Sequence, residues 1–401
     1  MKTTIFMTAL MLGTVLTGYG IAEEPKKTAD FSWDLFRTLV LQNPNENLAC
    51  SPYGAELAIG AVGSGASGET ESEIAAALNK QGDWKQYAAA LRISEEENSP
   101  LTVATAVWMQ QGQTLQKDFC EMSEQNFGAL IEQVDFVGNS GDALKKINVW
   151  CSEKTQGKIP ILYENFAANT HCVLANAVHF AADWKYPFDK EATLDGTFTL
   201  LNGTETTTKM MSQTSRMLYG ETEKVVMLEI PYKNKGYSML ILFPKNADDF
   251  SKIETEISSG KLDTWRAELK ISQINLRMPK FTIESKLTIN ESLKKLGIVT
   301  AFTHNADFSK INGKKDLYLS DVRQRIYVKV DEQGTEAAAA TGAGFSVKSA
   351  IDAHSLYLNR PFLYLITKEN KTLFAGRFVK PELSATSETD SGLSGEGGEF
   401  N

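Results

Sequence analysis

Helical periodicity fills the first part of this chain and strand patterning most of the rest, with no regular strand–helix–strand alternation. Parallel sheets need that alternation, because each crossover takes a helix-length connection. The order therefore selects an α+β fold: one large domain with mainly antiparallel sheets. Phe31, Leu35, Phe36, Leu39 and Val40 recur at helical spacing over 30–41. Ser51-Pro52 opens a helix over 53–62, with proline at the first helical position. Thr70-Glu71-Ser72-Glu73 has the form of a capping box ahead of 74–78, and 83–93 is a further amphipathic stretch. A strand is expected at 101–109, then helices near 116–127 and 142–155. Strands follow at 173–180, 225–230, 237–243 and 274–278. The pattern next predicts a helix over 287–296, ended by Gly297, and strands at 327–330, 356–358, 362–366 and 373–379.

Of the 401 residues 42% are hydrophobic and 23% charged, which suffices for a large core. The net charge is −9 and no basic stripe carries interleaved aromatics, so nucleic acid is not an expected partner. Lys2, the apolar run 5–16 and the small residues Gly20 and Ala22 around Ile21 read as a signal peptide over 1–22. That run is too short for a bilayer span, so the expectation is a secreted, extracellular protein free of the membrane. From Ser384 to Asn401 the chain is Ser, Thr, Glu, Asp and Gly with few apolar residues, an expected disordered acidic tail. Cys50, Cys120, Cys151 and Cys172 allow three pairings and lack zinc-site spacing; buried free thiols are the expectation. Asn202, Asn290 and Asn370 stand in glycosylation sequons.

Catalytic motifs fail on context. Gly63-Ser64-Gly65-Ala66-Ser67-Gly68 matches a dinucleotide fingerprint but follows a helix rather than a strand. The four histidines, His171, His179, His304 and His354, make no HExxH pair, and no GxSxG elbow exists. No metal, cofactor or enzymatic activity is expected.

One segment resists assignment. From Asp331 to Ser349 small residues dominate and proline is absent: four consecutive alanines favour helix, while Gly334, Gly342 and Gly344 oppose one. Read with period two, Thr335, Ala337, Ala339, Thr341, Ala343 and Phe345 share one uncharged face, and Glu336 points the other way. Such a segment can live as a solvated loop or as a buried strand, which is the composition of a switch.

Further stretches run through the chain: Ile147-Asn148-Val149-Trp150, Asn176-Ala177-Val178-His179-Phe180 with Trp184, Lys209-Met210-Met211 and Leu228-Glu229-Ile230-Pro231-Tyr232. Met278-Pro279-Lys280-Phe281, Asn359-Arg360-Pro361-Phe362-Leu363 and Leu373-Phe374-Ala375-Gly376-Arg377 follow. In this order and spacing, over about 31–381, the chain resembles a serpin. The resemblance implies a serpin domain over 23–383, with three sheets, about nine helices and an exposed reactive loop near 332–355. It also implies a monomer that traps a serine protease as a covalent 1:1 complex.

Counted from Glu332, the family's scissile position falls on Lys348, with Ser349 on the leaving side. The lysine implies a trypsin-like partner that cleaves after Lys or Arg. The implied hinge is Glu332, Gly334, Thr335, Glu336, Ala337, Ala338, Ala339 and Ala340, with Gly334 supplying backbone freedom. Ser51, Asn176, Trp184 and Gln324 occupy the places that govern sheet opening. Two departures stand there: Gly54 where a serine is usual, and Gln324 where many relatives have histidine. The alternative is a non-inhibitory serpin with a carrier, storage or chaperone role.

Overall fold

The computed structural model describes residues 30–93, 99–335 and 353–382. Helix α1 (Phe31–Gln42) buries Phe31, Leu35, Phe36 and Leu39, as their spacing requires. Strand β1 (Leu48–Cys50) leads into α2 (Pro52–Gly63), whose first turn is capped by the Ser51 hydroxyl, accepting from the Gly54 N–H at 3.0 Å. The glycine-rich stretch then joins α2 to α3 (Gly68–Ala77), with no strand before it. Helix α3 starts before the expected capping box. Thr70 lies inside it and accepts from the Asp307 N–H at 3.0 Å instead. The reciprocal box forms one helix later, where Asp83 and Gln86 exchange bonds at the start of α4 (Trp84–Leu91).

The chain continues through β2 (Leu101–Gln110), α5 (Lys117–Phe127), β3 (Ala129–Val134) and α6 (Ser140–Lys154). Six strands follow: β4 (Cys172–Phe180), β5 (Ala182–Asp183), β6 (Leu194–Thr199), β7 (Glu205–Glu221), β8 (Val225–Pro231) and β9 (Tyr237–Pro244). After α7 (Phe250–Glu256) and α8 (Ser259–Ala267) come β10 (Lys270–Pro279) and β11 (Phe281–Thr288). The helix expected over 287–296 is shorter. Phe281, Ile283, Ser285 and Leu287 alternate inward along β11, and α9 spans only Asn290–Lys295. Helix α10 (Ser309–Asn312) precedes β12 (Asp321–Val330), the two-residue β13 (Gly334–Thr335), β14 (His354–Tyr357), β15 (Phe362–Lys368) and β16 (Lys371–Phe378).

Pairing is mainly antiparallel. The three sheets implied by resemblance are linked into two hydrogen-bonded networks, because β7 pairs β6 and β10 along its length and β8 at its end. The second network, in the order β3-β2-β4-β12-β13-β5 with β11 also on β12, is the central sheet. One of its faces packs on the main core. The other lies under α6, where Trp108 of β2 meets Trp150 of α6 edge-to-face at 5.9 Å. At its centre β4 and β12 run parallel and pair directly from Asp321 opposite Val173 to Tyr327 opposite His179.

All four cysteines are free; Cys50, Cys151 and Cys172 are buried and Cys120 half-buried. Burial pushes the Cys151 and Cys172 thiols up to about 12, so they stay protonated and unreactive. Among the sequons, Asn290 uses its side chain inside the fold: its amide donates to Ser320 O and accepts from the Val322 N–H.

Candidate functional site: the hinge and the sheet that faces it

Past Val330 the chain reverses in a tight turn. Asp331 accepts from the N–H groups of Gln333 (3.0 Å) and Gly334 (3.4 Å), and its own N–H donates to Gly334 O at 2.9 Å. The turn delivers β13 back into the central sheet. Thr335 pairs Val330 of β12, while Gly334 and Thr335 pair Asp183 and Ala182 of β5. Here Gly334 is also required by close approach, since its backbone is not in the left-handed region. A Cβ there would stand 2.1 Å from the Ala182 carbonyl oxygen. Thr335 is fully buried, its hydroxyl 2.6 Å from that of Tyr232.

Around this entry point the structure builds a clamp. Trp184 donates from its indole to Asp331 O (2.9 Å) and from its backbone to Gln333 O (2.7 Å), and stacks on Tyr232 at 4.5 Å between centroids. Glu332, 5% exposed, accepts from the Lys280 ammonium at 2.8 Å and the Thr193 hydroxyl at 2.9 Å. Burial works to raise its carboxyl, but the bond from Lys280 and the other donors outweigh it and hold Glu332 below the ordinary glutamate range. Burial likewise keeps the Tyr232 phenol protonated, far above its ordinary range.

Deeper in the sheet lies a second, neutral network. Gln324 of β12 stands opposite Asn176 of β4 and donates to its Oδ1 at 2.8 Å, across the junction of the two strands. The same amide donates to Ser51 O (2.9 Å) and accepts from the Ser51 N–H (2.8 Å). Asn176 donates in turn to Thr105 of β2 (3.1 Å), and the Ser51 hydroxyl to Leu373 O of β16 (2.7 Å). The network ties α2 to both central strands.

The structure thus brings Glu332, Gly334, Thr335 and Trp184 together at one end of the sheet, and Ser51, Asn176 and Gln324 together at its middle. Glu336, Ala337, Ala338, Ala339, Ala340, Lys348 and Ser349 lie outside the described residues. Sequence reasoning missed Lys280, Tyr232 and Thr193. The first two stand in quoted motifs, yet nothing local marks their partners, which lie 52 and 103 residues away along the chain.

Residues 26–381 match the family described as Serpin (serine protease inhibitor). A bovine (Bos taurus) leukocyte elastase inhibitor is 33% identical over 88% of this chain and 97% of its own. A serine protease inhibitor of Cyanea capillata is 30% identical over 86% of this chain and 95% of its own. Among solved structures, Serpin48 of the insect Tenebrio molitor superposes with a TM-score of 0.79 at 28% identity, over 88% of this chain and 97% of that one. Human thyroxine-binding globulin complexed with thyroxine reaches 0.79 at 26% identity, over 88% and 97%. The same frame therefore carries both a highly specific serpin and a thyroxine-binding globulin. With the family match spanning nearly the whole chain and relatives named as protease inhibitors, the protein belongs to the serpin family.

Proposed function

We propose that this serpin is a suicide-substrate inhibitor of trypsin-like serine proteases, cleaved at Lys348-Ser349. One observation carries the reading: Gly334 and Thr335 are already strand residues between β5 and β12, while beyond them β4 and β12 pair directly with one another. A strand has begun to enter a sheet that remains closed ahead of it. Lysine at 348 suits a carboxylate-floored primary pocket. The protease serine oxygen attacks the Lys348 carbonyl carbon and the amide bond to Ser349 breaks. The Ser349 nitrogen leaves as an amine, protonated by the protease histidine, and Lys348 stays esterified.

The freed arm then continues the entry that β13 begins. Extending the register in which Thr335 faces Val330 and Ala182 would bring Glu336 opposite Lys329, and Thr341 between Gln324 and Asn176. Gly334 to Lys348 spans roughly 50 Å as a strand at about 3.3 Å per residue. At about one net backbone bond per residue, its insertion yields on the order of 15 kcal/mol. A protease domain is stable by ~5–15 kcal/mol, so insertion can distort the captured active site and stall deacylation.

Incubation with trypsin tests this. The expected products are an adduct that survives SDS and a released peptide beginning at Ser349, with a higher melting temperature for the cleaved serpin. Full turnover without adduct, or cleavage that leaves the melting temperature unchanged, would favour the non-inhibitory alternative. We also propose that residues 1–22 direct export. Expression in a secreting host with N-terminal sequencing of the released protein tests this, with a start at Glu23 expected.

A further inference from the structure

Gly54 is the third residue of α2, a place where helix propensity alone favours alanine by a factor of about five. The surroundings oppose it. A Cβ on Gly54 would stand 2.7 Å from Asn176 Oδ1, 2.8 Å from Val178 Cγ2 and 3.1 Å from Ser51 Oγ. None of these atoms can yield cheaply. Asn176 Oδ1 is held by the Gln324 amide at 2.8 Å and its nitrogen is held on Thr105, Val178 is fully buried in β4, and the Ser51 hydroxyl caps the helix and bonds Leu373 O. The Gln324 amide in turn has both its donor and its acceptor committed to Ser51 and Asn176.

We infer that Gly54 is a positioning residue coupled to Gln324: its missing side chain leaves Asn176 room to face Gln324 across the β4–β12 junction and latch the two strands. The sheet's resistance to opening then depends on both positions together. This rests on the insertion reading only in its consequence for inhibition. The coupling itself is a property of the uncleaved molecule.

A double-mutant cycle of Gly54→Ala and Gln324→Ala, read by urea unfolding of the intact full-length protein, tests it. Gly54→Ala is expected to lower the folding equilibrium constant at least tenfold, against the direction of helix propensity. In the Gln324→Ala background, where the Asn176 amide is free to turn aside, the same change should cost less than half as much on a logarithmic scale. A stabilising Gly54→Ala, or equal costs in the two backgrounds, overturns the inference. If Gly54→Ala does not accumulate, adding Asn176→Ala together with Val178→Ala should restore accumulation to that of the Asn176→Ala, Val178→Ala pair, since both nearest obstructing groups are then gone; accumulation of the pair without the triple variant also overturns it. In parallel, spontaneous loss of trypsin-binding capacity at 45 °C should run about tenfold faster for Gly54→Ala. Coupling in urea with no trypsin adduct for any variant leaves the latch standing and removes the inhibitor reading; adducts without coupling do the reverse.

Discussion

The central sheet is closed in two ways. At its end, around Trp184 and Glu332, closure is charged and partly wet: the Lys280 side chain is 41% exposed and pairs a carboxylate that is almost wholly buried. At its middle, around Ser51, Asn176 and Gln324, closure is neutral and fully buried, made of amide, hydroxyl and backbone groups. The end already admits the two residues of β13; the middle admits none. A charged pair at a rim can exchange partners with water as it opens, whereas each buried neutral bond must be replaced by another bond as it breaks. On the insertion reading proposed above, the hinge end yields first and the middle holds until a strand arrives with groups to substitute.

The largest way to break this contrast is Gly334→Val. Its side chain cannot coexist with the Ala182 carbonyl, so β13 should be expelled from the sheet at a cost of about 2–3 kcal/mol, within the range for overpacking. The protease should then consume about tenfold more serpin per adduct formed. A titration giving unchanged stoichiometry would show that the early entry of Gly334 has no part in trapping.

A smaller effect sharpens the electrostatic half. Lys280→Ala should destabilise the intact protein by about 1–2 kcal/mol at pH 7, because Glu332 stays buried with Thr193 as its remaining side-chain donor. The Glu332 carboxyl is depressed in the folded state. Its contribution is therefore complete above the ordinary glutamate value of about 4.3 and fades as pH falls through the lower folded value. Denaturant midpoints should show the variant's deficit vanish in acid; a deficit independent of pH would contradict the pairing.

The smallest effect concerns the middle. Glutamine does not titrate, so Gln324→His should introduce a pH slope, absent from the unmodified protein, into the stability difference between the two. Burial disfavours the imidazolium there, so the variant should lose stability relative to the unmodified protein as pH falls below about 6.5. A flat difference between pH 5 and 8 would show that position 324 is insulated from the proton balance.

Much of this was legible beforehand. The spacing of Phe31, Leu35 and Leu39, the Ser51-Pro52 start and the unbroken apolar run 237–243 mark elements that local pattern alone decides, because each carries its own periodicity. Elements whose patterns are weak escaped. Strand β7 is mostly polar and half exposed, and β3 is a short edge strand, so neither carries a full apolar alternation. The expected helix over 287–296 is shorter because Leu287, which fits both periods, lies in β11. Thr70 has the chemistry of a cap, but it lies inside α3 and accepts from the Asp307 N–H.

The sequence by itself determined the composition of the segment beyond the hinge: small, uncharged residues on one face from Thr335 to Ala343, a composition that any burial must respect. It also determined the family, through motifs spread along nearly the whole chain. Only the tertiary structure decided that Gly334 is required by contact, that Lys280 answers Glu332 and Tyr232 answers Thr335, and that Gly54 and Gln324 bear on the same amide. Side-chain chemistry is written in the residue, whereas partnership depends on distances that the chain closes only after folding.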